Sequence, residues 1–534
     1  MQAVIYNPVE DYENKLQQQH WDNTNAFFDQ LVQRSGVDIA QNRKTVEEYE
    51  TYRDKVKKMR RKRNWLRFVR VLMILTILLI PLVIWWLTPK IRALKEQIAT
   101  ADAKAAQLLT QAHAQMQPLN SLFTDTDALR LAEKTMPLLR FSPCFSVEQE
   151  ADMMINYDFT AGTDAEQSTI DVLAGYYNDN PFVFENRLIH TMGTETYHGY
   201  KTIYWTEHYR DSNGKLRTRT RSQTLHATVT KPKPFYNTQV VLSYCAQGGP
   251  ELCFTRDATY LDQKSEKSIE RYVKRGEKKL RRKTEKAINQ NGTFMSMSNA
   301  DFEVLFDALD RNNEVQFRTL FTPLAQTNMV KLLLSKTGYG DDFDFIKRNR
   351  TNHIVSKHSQ GRPINLLPGH YYSYSYDVIR SNFVGQNCEF FKALYFDFAP
   401  LLAIPIYQER PVHSLKPIPS YEQLYSLKEC EALANAVDAR YVVHPDTKTQ
   451  AILKSSFVQS KNGVDETCIT AHSYDIAQQV DYVMVAGLDG KFHSVPVPWD
   501  QYLPLQASRN FYVSAADRVA SPLAKRSNIC IKEI

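Results

Sequence analysis

The longest apolar run of the chain lies between Val71 and Thr88. It reads VLMILTILLIPLVIWWLT, carries no charged residue and is interrupted only by Thr76 and Pro81. A helix rises about 1.5 Å per residue, so this run would measure roughly 27 Å, close to the hydrocarbon thickness of a bilayer. The run predicts a transmembrane helix. The alternative is a buried core helix, whose apolar stretch is usually shorter.

Basic residues crowd the segment before this run. Ten Lys or Arg residues lie between Arg53 and Arg70, whereas residues 89–108 contain four. Because positive charge is retained on the cytoplasmic side of a membrane, this asymmetry predicts a cytoplasmic N-terminus and an extracytoplasmic C-terminal region. Seventy residues precede the run, which favours an uncleaved signal anchor over 65–88 rather than a signal peptide. We therefore expect a single-pass protein of the cell membrane with the lipid bilayer as one partner.

Helical patterns flank the apolar run on both sides. Residues 1–64 show two of them, separated by a turn at Ser35-Gly36, and predict a helical cytoplasmic head. After the run, apolar residues recur at alternating steps of three and four, the spacing of a coiled-coil seam. The seam consists of Ile91, Leu94, Ile98, Ala101, Ala105, Leu108 and Ala112. It predicts a short coiled-coil stalk over 89–117, which either self-associates or packs on the following domain.

From about Phe141 the pattern changes to β-branched and aromatic runs, which predict a β-rich domain over 118–260. Its clearest unit is a hairpin over 201–230, where two such runs flank an Asn-Gly turn at 213–214. The second strand reads Arg-Thr-Arg-Thr-Arg over 217–221 and places arginines on one face and threonines on the other. The arginine face is either solvated or meets an anionic surface.

A long charged helix is predicted over 261–290. Between Lys264 and Lys286 it holds eleven basic and four acidic side chains. We interpret it as a solvated linker helix supported by Glu-Lys pairs. The alternative is contact with lipid headgroups or another polyanion, while the lack of interleaved aromatic residues makes nucleic acid an unfavoured partner. The candidate contacts are Lys274, Arg275, Lys278, Lys279, Arg281 and Arg282.

The remaining residues, 291–534, mix helical and strand patterns and predict a C-terminal α+β domain. Residues 479–487 and 491–497 are typical of paired strands that turn at Asp489-Gly490. Taken together, the patterns predict an α+β fold. Its parts are a helical head, one transmembrane helix, a short coiled-coil stalk, and β-rich domains with a long charged linker helix.

Composition changes this picture only through the cysteines. The net charge of +7 over 534 residues defines no partner, and 43% hydrophobic residues are ordinary for a globular protein. All seven cysteines follow the apolar run. An exported domain usually pairs its cysteines, and an odd number leaves at least one thiol free. Cys245 and Cys253 are close enough in sequence to bridge a hairpin.

Acidic and histidine residues offer weak metal candidates. Asp341, Asp342 and Asp344 lie in a turn-like segment and could bind a cation, but no glutamate completes the loop at the spacing of a calcium site. His353 and His358 are five residues apart and share a helix face poorly. We therefore expect no metal and no cofactor.

Catalytic signatures are equally scarce. The sequence contains no nucleophile elbow, phosphate-binding loop, dinucleotide fingerprint or zinc-protease motif. Cys430 or Cys468 could join His444 or His472 in a Cys-His site, but only if the fold brings a base within about 3 Å of the thiol. A surface or core role is the commoner one for such residues, and no catalytic residue is predicted.

Five segments resemble a family of uncharacterised bacterial proteins. They are FFDQLVQRSGVD (27–38), EKSIERYVKRGEKKLRRKTEKA (266–287), NNEVQFRTLFTPLAQTNM (312–329), YFDFAPLLAIPIYQ (395–408) and ECEALANAVD (429–438). The resemblance implies a single-pass membrane protein with a short cytoplasmic head and a large β-rich C-terminal part. It implies no activity and no site residues.

These patterns favour a non-enzymatic interaction or structural component of a membrane assembly. Its partner would be another protein, or a second copy bound through the stalk. One alternative is a membrane-tethered enzyme with an unrecognised site, which requires convergent titratable residues in a pocket. The other is a membrane-surface or polyanion binder that uses the basic helix over 264–286.

Overall fold

The computed structural model describes residues 5, 7–74, 83–160, 165–210, 212–290, 294–411, 416–514 and 530–532. The chain forms two compact units. Unit 1 comprises Met1–Val9, Leu138–Ile364 and Phe396–Ile534, and unit 2 comprises Glu10–Pro137 and Asn365–Tyr395.

The helices are α1 Pro8–Asp11, α2 Gln17–Ser35, α3 Ile39–Ile74, α4 Thr88–Asn120, α5 Asp127–Thr135, α6 Val147–Tyr157, α7 Glu266–Asn289, α8 Ala300–Phe306, α9 Glu314–Leu320, α10 Pro323–Leu334, α11 Tyr376–Leu402 and α12 Leu427–Asn435. Short π-helical turns cover Tyr12–Leu16 and Val83–Leu87. The strands are β1 Leu139–Phe141, β2 Gln167–Tyr177, β3 Asn180–Arg210, β4 Leu216–Cys245, β5 Cys253–Arg256, β6 Phe343–Arg348, β7 Thr351–Ser356, β8 Ile452–Lys461, β9 Val464–Ala486, β10 Phe492–Ser514 and β11 Cys530–Lys532.

In unit 2, α3 and α4 form an antiparallel pair. Asn42 near the start of α3 donates to Gln115 near the end of α4 (3.3 Å), while Arg60, later in α3, pairs with Asp102, earlier in α4 (2.8 Å). All seven residues of the predicted coiled-coil seam are buried. Part of the seam packs on Val56 of α3. The seam therefore has a partner within its own chain.

The structure contradicts the predicted transmembrane helix over Val71–Thr88. No helix in the described part of the chain combines the length and the apolar character that crossing a bilayer needs. The described helices on either side of the run, α3 and α4, are antiparallel. Residues 75–82, the centre of the run, lie outside the described residues.

The predictions that depended on this span are corrected with it. They are the signal anchor over 65–88, the single-pass cell-membrane localisation, and the assignment of the two chain ends to opposite sides of a membrane. The α+β class is retained, because helices and antiparallel sheets are both present.

A distant segment completes the core of unit 2. Phe28 of α2, Met116 of α4 and Phe383 of α11 belong to one buried aromatic and aliphatic cluster. Gly36, with φ of +63°, ends α2 at the predicted Ser35-Gly36 turn. The predicted head and stalk thus belong to one helical unit, which also contains residues 365–395.

Unit 1 is built on two antiparallel sheets. Among the described residues, seven strands pair in the order β1-β2-β3-β4-β7-β6-β5 and four in the order β11-β10-β9-β8. β3 and β4 form a hairpin that extends the predicted 201–230 unit in both directions, with Gly214 at its turn (φ +76°). β9 and β10 form a second long hairpin, with Gly490 at its turn (φ +77°). The pairing of β3 with β4 and of β9 with β10 agrees with the two predicted hairpins. Glycine suits both turns because it adopts positive φ values without strain.

The body of the larger sheet is covered on both faces. On one face Met153 and Tyr157 of α6 pack on Val183 of β3. On the other face Phe398, near the end of α11, contacts the rings of Phe182 and Phe184 edge-on at 5.0 and 5.6 Å. Beyond this body, β3 and β4 continue outward as a two-stranded ribbon.

Candidate functional site: the outer faces of the hairpin arm

Neither Cys245 nor Cys253 forms a disulfide. Cys245 ends β4, and its sulfur lies 3.8 Å from the Thr351 hydroxyl, whereas the Cys253 sulfur lies 3.5 Å from Asn349. The two cysteines face different partners because β4 pairs with β7 while Cys253 starts β5, which pairs with β6. The predicted Cys245–Cys253 disulfide is therefore absent from the described chain.

The candidate Cys-His site is not assembled either. The Cys430 thiol contacts the Thr467 hydroxyl at 3.6 Å, and burial raises its pKa to about 12, so it remains a thiol at neutral pH. Cys468 follows Thr467 on the same strand, and its side chain therefore points to the opposite face of the sheet. The His444 ring accepts a hydrogen bond from the Asp446 amide (3.2 Å).

The acidic segment of β6 and the preceding turn is neutralised within the chain. All three carboxylates have side-chain partners: Asp341 pairs with the cation of Arg256 and Asp344 with that of Lys357, while Asp342 contacts the imidazole of His358. In the part of the chain that the structure describes, no group of three or more His, Cys, Asp or Glu residues could hold a metal ion. The cationic partners Arg256 and Lys357 lie outside the acidic segment, and so the sequence pattern did not reveal them.

The two histidines near this segment have separate roles. The Nδ1 atom of His353 lies 2.8 Å from the Ser243 hydroxyl, and burial lowers the pKa of His353 to about 4. His358 lies between Asp342 (2.7 Å) and Asp397 (3.4 Å). Ser243 is fully buried and the His358 side chain is 4% exposed. His353 itself is half-buried.

A buried ionic cluster joins β3, α6 and α12. Glu185 binds Lys428 and Arg187, and although burial alone would raise its pKa, these two cations lower it to about 2. Burial raises the pKa of nearby Glu150 to about 7 despite the charge of Lys428. These groups fix the packing of α6 and α12 on the sheet, and sequence patterns gave no sign of them.

The basic helix α7 presents most of its surface to solvent. Leu280 is buried, and Gly276 lies so close to Val304 of α8 that an added Cβ would come within 2.2 Å of it. This narrow apolar stripe packs on α8 and leaves the charged faces outward. All six predicted contact residues, from Lys274 to Arg282, are exposed.

The distal parts of the two long hairpins pack together as a two-layer structure. We call residues 193–233 and 479–499 the hairpin arm. Its interior contains Ile203 and Leu225 from one layer and Val495 and Val497 from the other. A Cβ at Gly199 would lie 2.2 Å from the Pro496 carbonyl oxygen, so glycine permits the close approach of the layers.

Charged contacts also hold the two layers together. Lys231 of β4 pairs with Asp481 of β9 (2.6 Å) and lies 4.2 Å from the centre of the Trp499 ring.

Within the β3–β4 layer, nearer its turn, Glu207 binds both Arg219 and Arg221, at 2.6 and 2.7 Å. Two of the three arginines on the predicted arginine face are thus neutralised by a residue of the paired strand.

The outer face of the β3–β4 layer, here the polar face, consists mainly of threonine, histidine and tyrosine. Its hydroxyls bond across the strands, as in the Thr202–Thr224 pair at 3.1 Å. The His198 and His226 rings share a hydrogen bond of 2.9 Å. Tyr204 is 72% exposed. Polar side chains of this face therefore bond to one another across the strands.

The outer face of the β9–β10 layer is apolar. The apolar face consists of the strand residues Val480 (47% exposed), Tyr482 (71%), Met484 (60%) and Phe492 (71%), together with Leu488 (78%) in the turn that joins the strands. Their exposed surfaces adjoin, because Tyr482 pairs across the strands with Pro496 and Ala486 with Phe492. Contiguous apolar patches of this kind mark interaction sites on proteins.

The apolar pattern of β9 already indicates this face in the sequence. Val480, Tyr482 and Met484 are apolar, and so are Val483 and Val485 between them. A strand that is apolar on both faces is typical of one buried on both sides. The prediction of paired strands over 479–497 did not consider which faces are covered.

The chain matches no family model, no curated protein and no solved structure. The resemblance to a family of uncharacterised bacterial proteins therefore stays a prediction. Function has to be inferred from the geometry of the chain itself.

Proposed function

We propose that this protein is a non-catalytic interaction component that binds a protein partner through the apolar face of the hairpin arm. The observation that carries this proposal is the exposure of five large apolar side chains, four on one sheet face and Leu488 in the adjoining turn. The largest apolar patch of a typical monomer covers about 300–600 Å² and is often functional. A partner that covers this patch removes it from water, which favours association.

The polar clusters of unit 1 support a structural rather than a catalytic role. Ser243 next to His353 is fully buried, and Glu185 is 1% exposed. Lys347, whose pKa burial lowers to about 7, is fully buried and donates to the Gly248 and Asn349 carbonyl oxygens (2.9 and 2.6 Å). A substrate could not reach these groups in this arrangement.

The grooves of unit 2 give an enzyme no better support. Two open grooves of about 480 and 520 Å³ run along α3 and α4. Their linings combine basic and small side chains, such as Arg53 and Ala105, and the one lining carboxylate, Asp102, is paired with Arg60. A catalytic site would need convergent acid and base groups instead.

Site-specific crosslinking tests the proposal. A photoreactive residue would replace Met484 on the apolar face of the full chain, and in a matched variant it would replace Tyr204 on the polar face. Irradiation in cells is expected to yield a discrete covalent protein adduct from position 484 and none from position 204. An absence of adducts at 484, or the same adducts from both positions, would refute a docking role for the apolar face.

A second candidate function is binding of a polyanion by α7. The six exposed basic residues from Lys274 to Arg282 favour it, because clustered cations release counterions when they bind a polyanion. Heparin is a suitable probe. Replacing Lys274, Arg275 and Lys278 by Gln should weaken binding to heparin and reduce its salt dependence, whereas Arg217→Gln on the arm should change neither.

A further inference from the structure

We infer that the occupant of the apolar face is a second copy of this chain, bound face to face about a two-fold axis. This inference rests on the proposed function, since it names the partner of the same surface. In such a dimer the two β9–β10 layers are the inner layers of a stack, and each β3–β4 layer lies outside.

The distribution of apolar residues favours this arrangement. β3 and β4 alternate between buried apolar and exposed polar residues, as Ile203 and Thr202 illustrate, which is the pattern of a sheet with one solvated face. β9 is apolar at both alternating positions from Tyr482 to Ala486. That is the pattern of an inner layer, and a second copy would complete it.

The area of the face fits a dimer. Aromatic side chains bury about 150–250 Å² each, so the exposed parts of Tyr482 and Phe492, with the smaller contributions of Val480 and Met484, amount to on the order of 500 Å² per copy. Face-to-face pairing would then bury about 1,000 Å² in total, the least area expected of a specific interface. Tyr, Phe and Met are also residue types that are enriched in the cores of such interfaces.

The charge distribution suits pairing of identical surfaces. A two-fold interface brings the same patch of both copies together, so any charge near its centre would face its own kind. The five residues of the apolar face are uncharged. The charged Asp481 of the same strand points the other way, toward Lys231 in the arm interior. Two copies can therefore meet without opposing like charges.

Sedimentation of the purified full chain tests the inference. Tyr482→Lys places a charge at the centre of the apolar face, and Tyr204→Lys is its matched control, because both tyrosines are about equally exposed, at 71% and 72%. The wild-type chain and Tyr204→Lys should sediment as dimers. Tyr482→Lys should raise the dimer dissociation constant by about 100-fold or more, since the change occurs in both copies. Circular dichroism melting verifies that both variants fold.

The possible outcomes separate this inference from the proposed function. A monomeric wild-type chain whose position 484 crosslinks to a different protein overturns the second-copy inference and leaves the proposed function standing. A monomeric chain without adducts refutes both. A dimer that Tyr482→Lys and Tyr204→Lys affect equally assembles through another surface and also overturns the inference.

Discussion

The hairpin arm has two outer faces that share geometry and differ in chemistry. Each lies on a two-stranded antiparallel ribbon, and each carries a tyrosine that is more than two-thirds exposed, Tyr204 on the polar face and Tyr482 on the apolar face. On the polar face, neighbouring hydroxyls and imidazoles bond across the strands. On the apolar face, the neighbours of Tyr482 are Val480, Met484 and Pro496, which offer no such bonds.

This difference shows why exposure alone is a poor guide to function. An exposed threonine ladder is stable in water because its groups form hydrogen bonds with each other or with solvent. An exposed row of valine, methionine and phenylalanine is stabilised when another surface covers it and removes it from water. On this comparison the polar face is stable in water, and the apolar face is the surface that we propose as an interface.

The comparison of the two outer faces requires that the layers of the hairpin arm pack together. Gly199→Val tests this packing and has the largest expected effect on the free energy of unfolding. A Cβ at this position would lie 2.2 Å from the Pro496 carbonyl oxygen and 2.8 Å from Val497. Urea unfolding should show a loss of about 3 kcal/mol from overpacking. His198→Ala, on the neighbouring exposed residue, is the control and should be nearly neutral. A loss below about 1 kcal/mol for Gly199→Val would contradict the close packing of the layers.

Two identical substitutions in the β9–β10 layer sharpen the contrast between its inner and outer sides. Val497 is fully buried, whereas Val480 is 47% exposed. Val497→Ala should cost about 2 kcal/mol because it leaves a cavity, and Val480→Ala should change stability by less than about 0.5 kcal/mol. Urea unfolding at low protein concentration, where the copies are separate, measures both. Similar losses for the two variants would show that the outer side is already covered within one chain.

A third prediction extends the comparison from the solvated arm to the buried body of the sheet. Burial raises the pKa of Glu150 from 4.5 to about 7. Between about pH 4.5 and 7 the folded protein keeps this proton while the unfolded chain releases it, so stability falls as pH rises through that window. Glu150→Gln removes this slope and should stabilise the protein at pH 8 by about 2 kcal/mol.

Unfolding in urea at pH 5 and pH 8 measures this effect. Glu148→Gln, on the same helix at a less buried position, is the control and should retain the wild-type slope. If Glu150→Gln lost stability at pH 8, the charged carboxylate would be stabilising rather than destabilising in its cluster. The contribution of Lys428 would then outweigh the cost of burial.

Elements defined by local chemistry could be predicted from the sequence. The Asn-Gly turn at 213–214 fixed the β3–β4 hairpin, and Asp489-Gly490 fixed the β9–β10 hairpin, because these turns require φ values that glycine supplies. The basic helix was also predicted, within a few residues of its bounds Glu266–Asn289. The spacing of apolar residues predicted the seam of α4, but the spacing alone does not show which helix packs against it.

Features that depend on distant segments could not be predicted. The apolar run at 71–88 has the composition of a membrane span, yet the described helices on either side of it run antiparallel. Asp341 and Asp344 look like cation ligands until the fold brings Arg256 and Lys357 beside them. The apolar face is different, since the apolar residues at both alternating positions from Tyr482 to Val485 indicate it in the sequence.

The core of unit 2 also constrains how the chain folds during synthesis. Phe28 and Met116 share their cluster with Phe383, which the ribosome adds more than 250 residues after Met116. At about 5–20 residues per second, this interval lasts roughly 13–55 s. Throughout it the apolar sides of α2 and α4 lack their last contacts. The N-terminal helices of a nascent chain therefore depend on chaperones or on transient contacts until α11 leaves the exit tunnel.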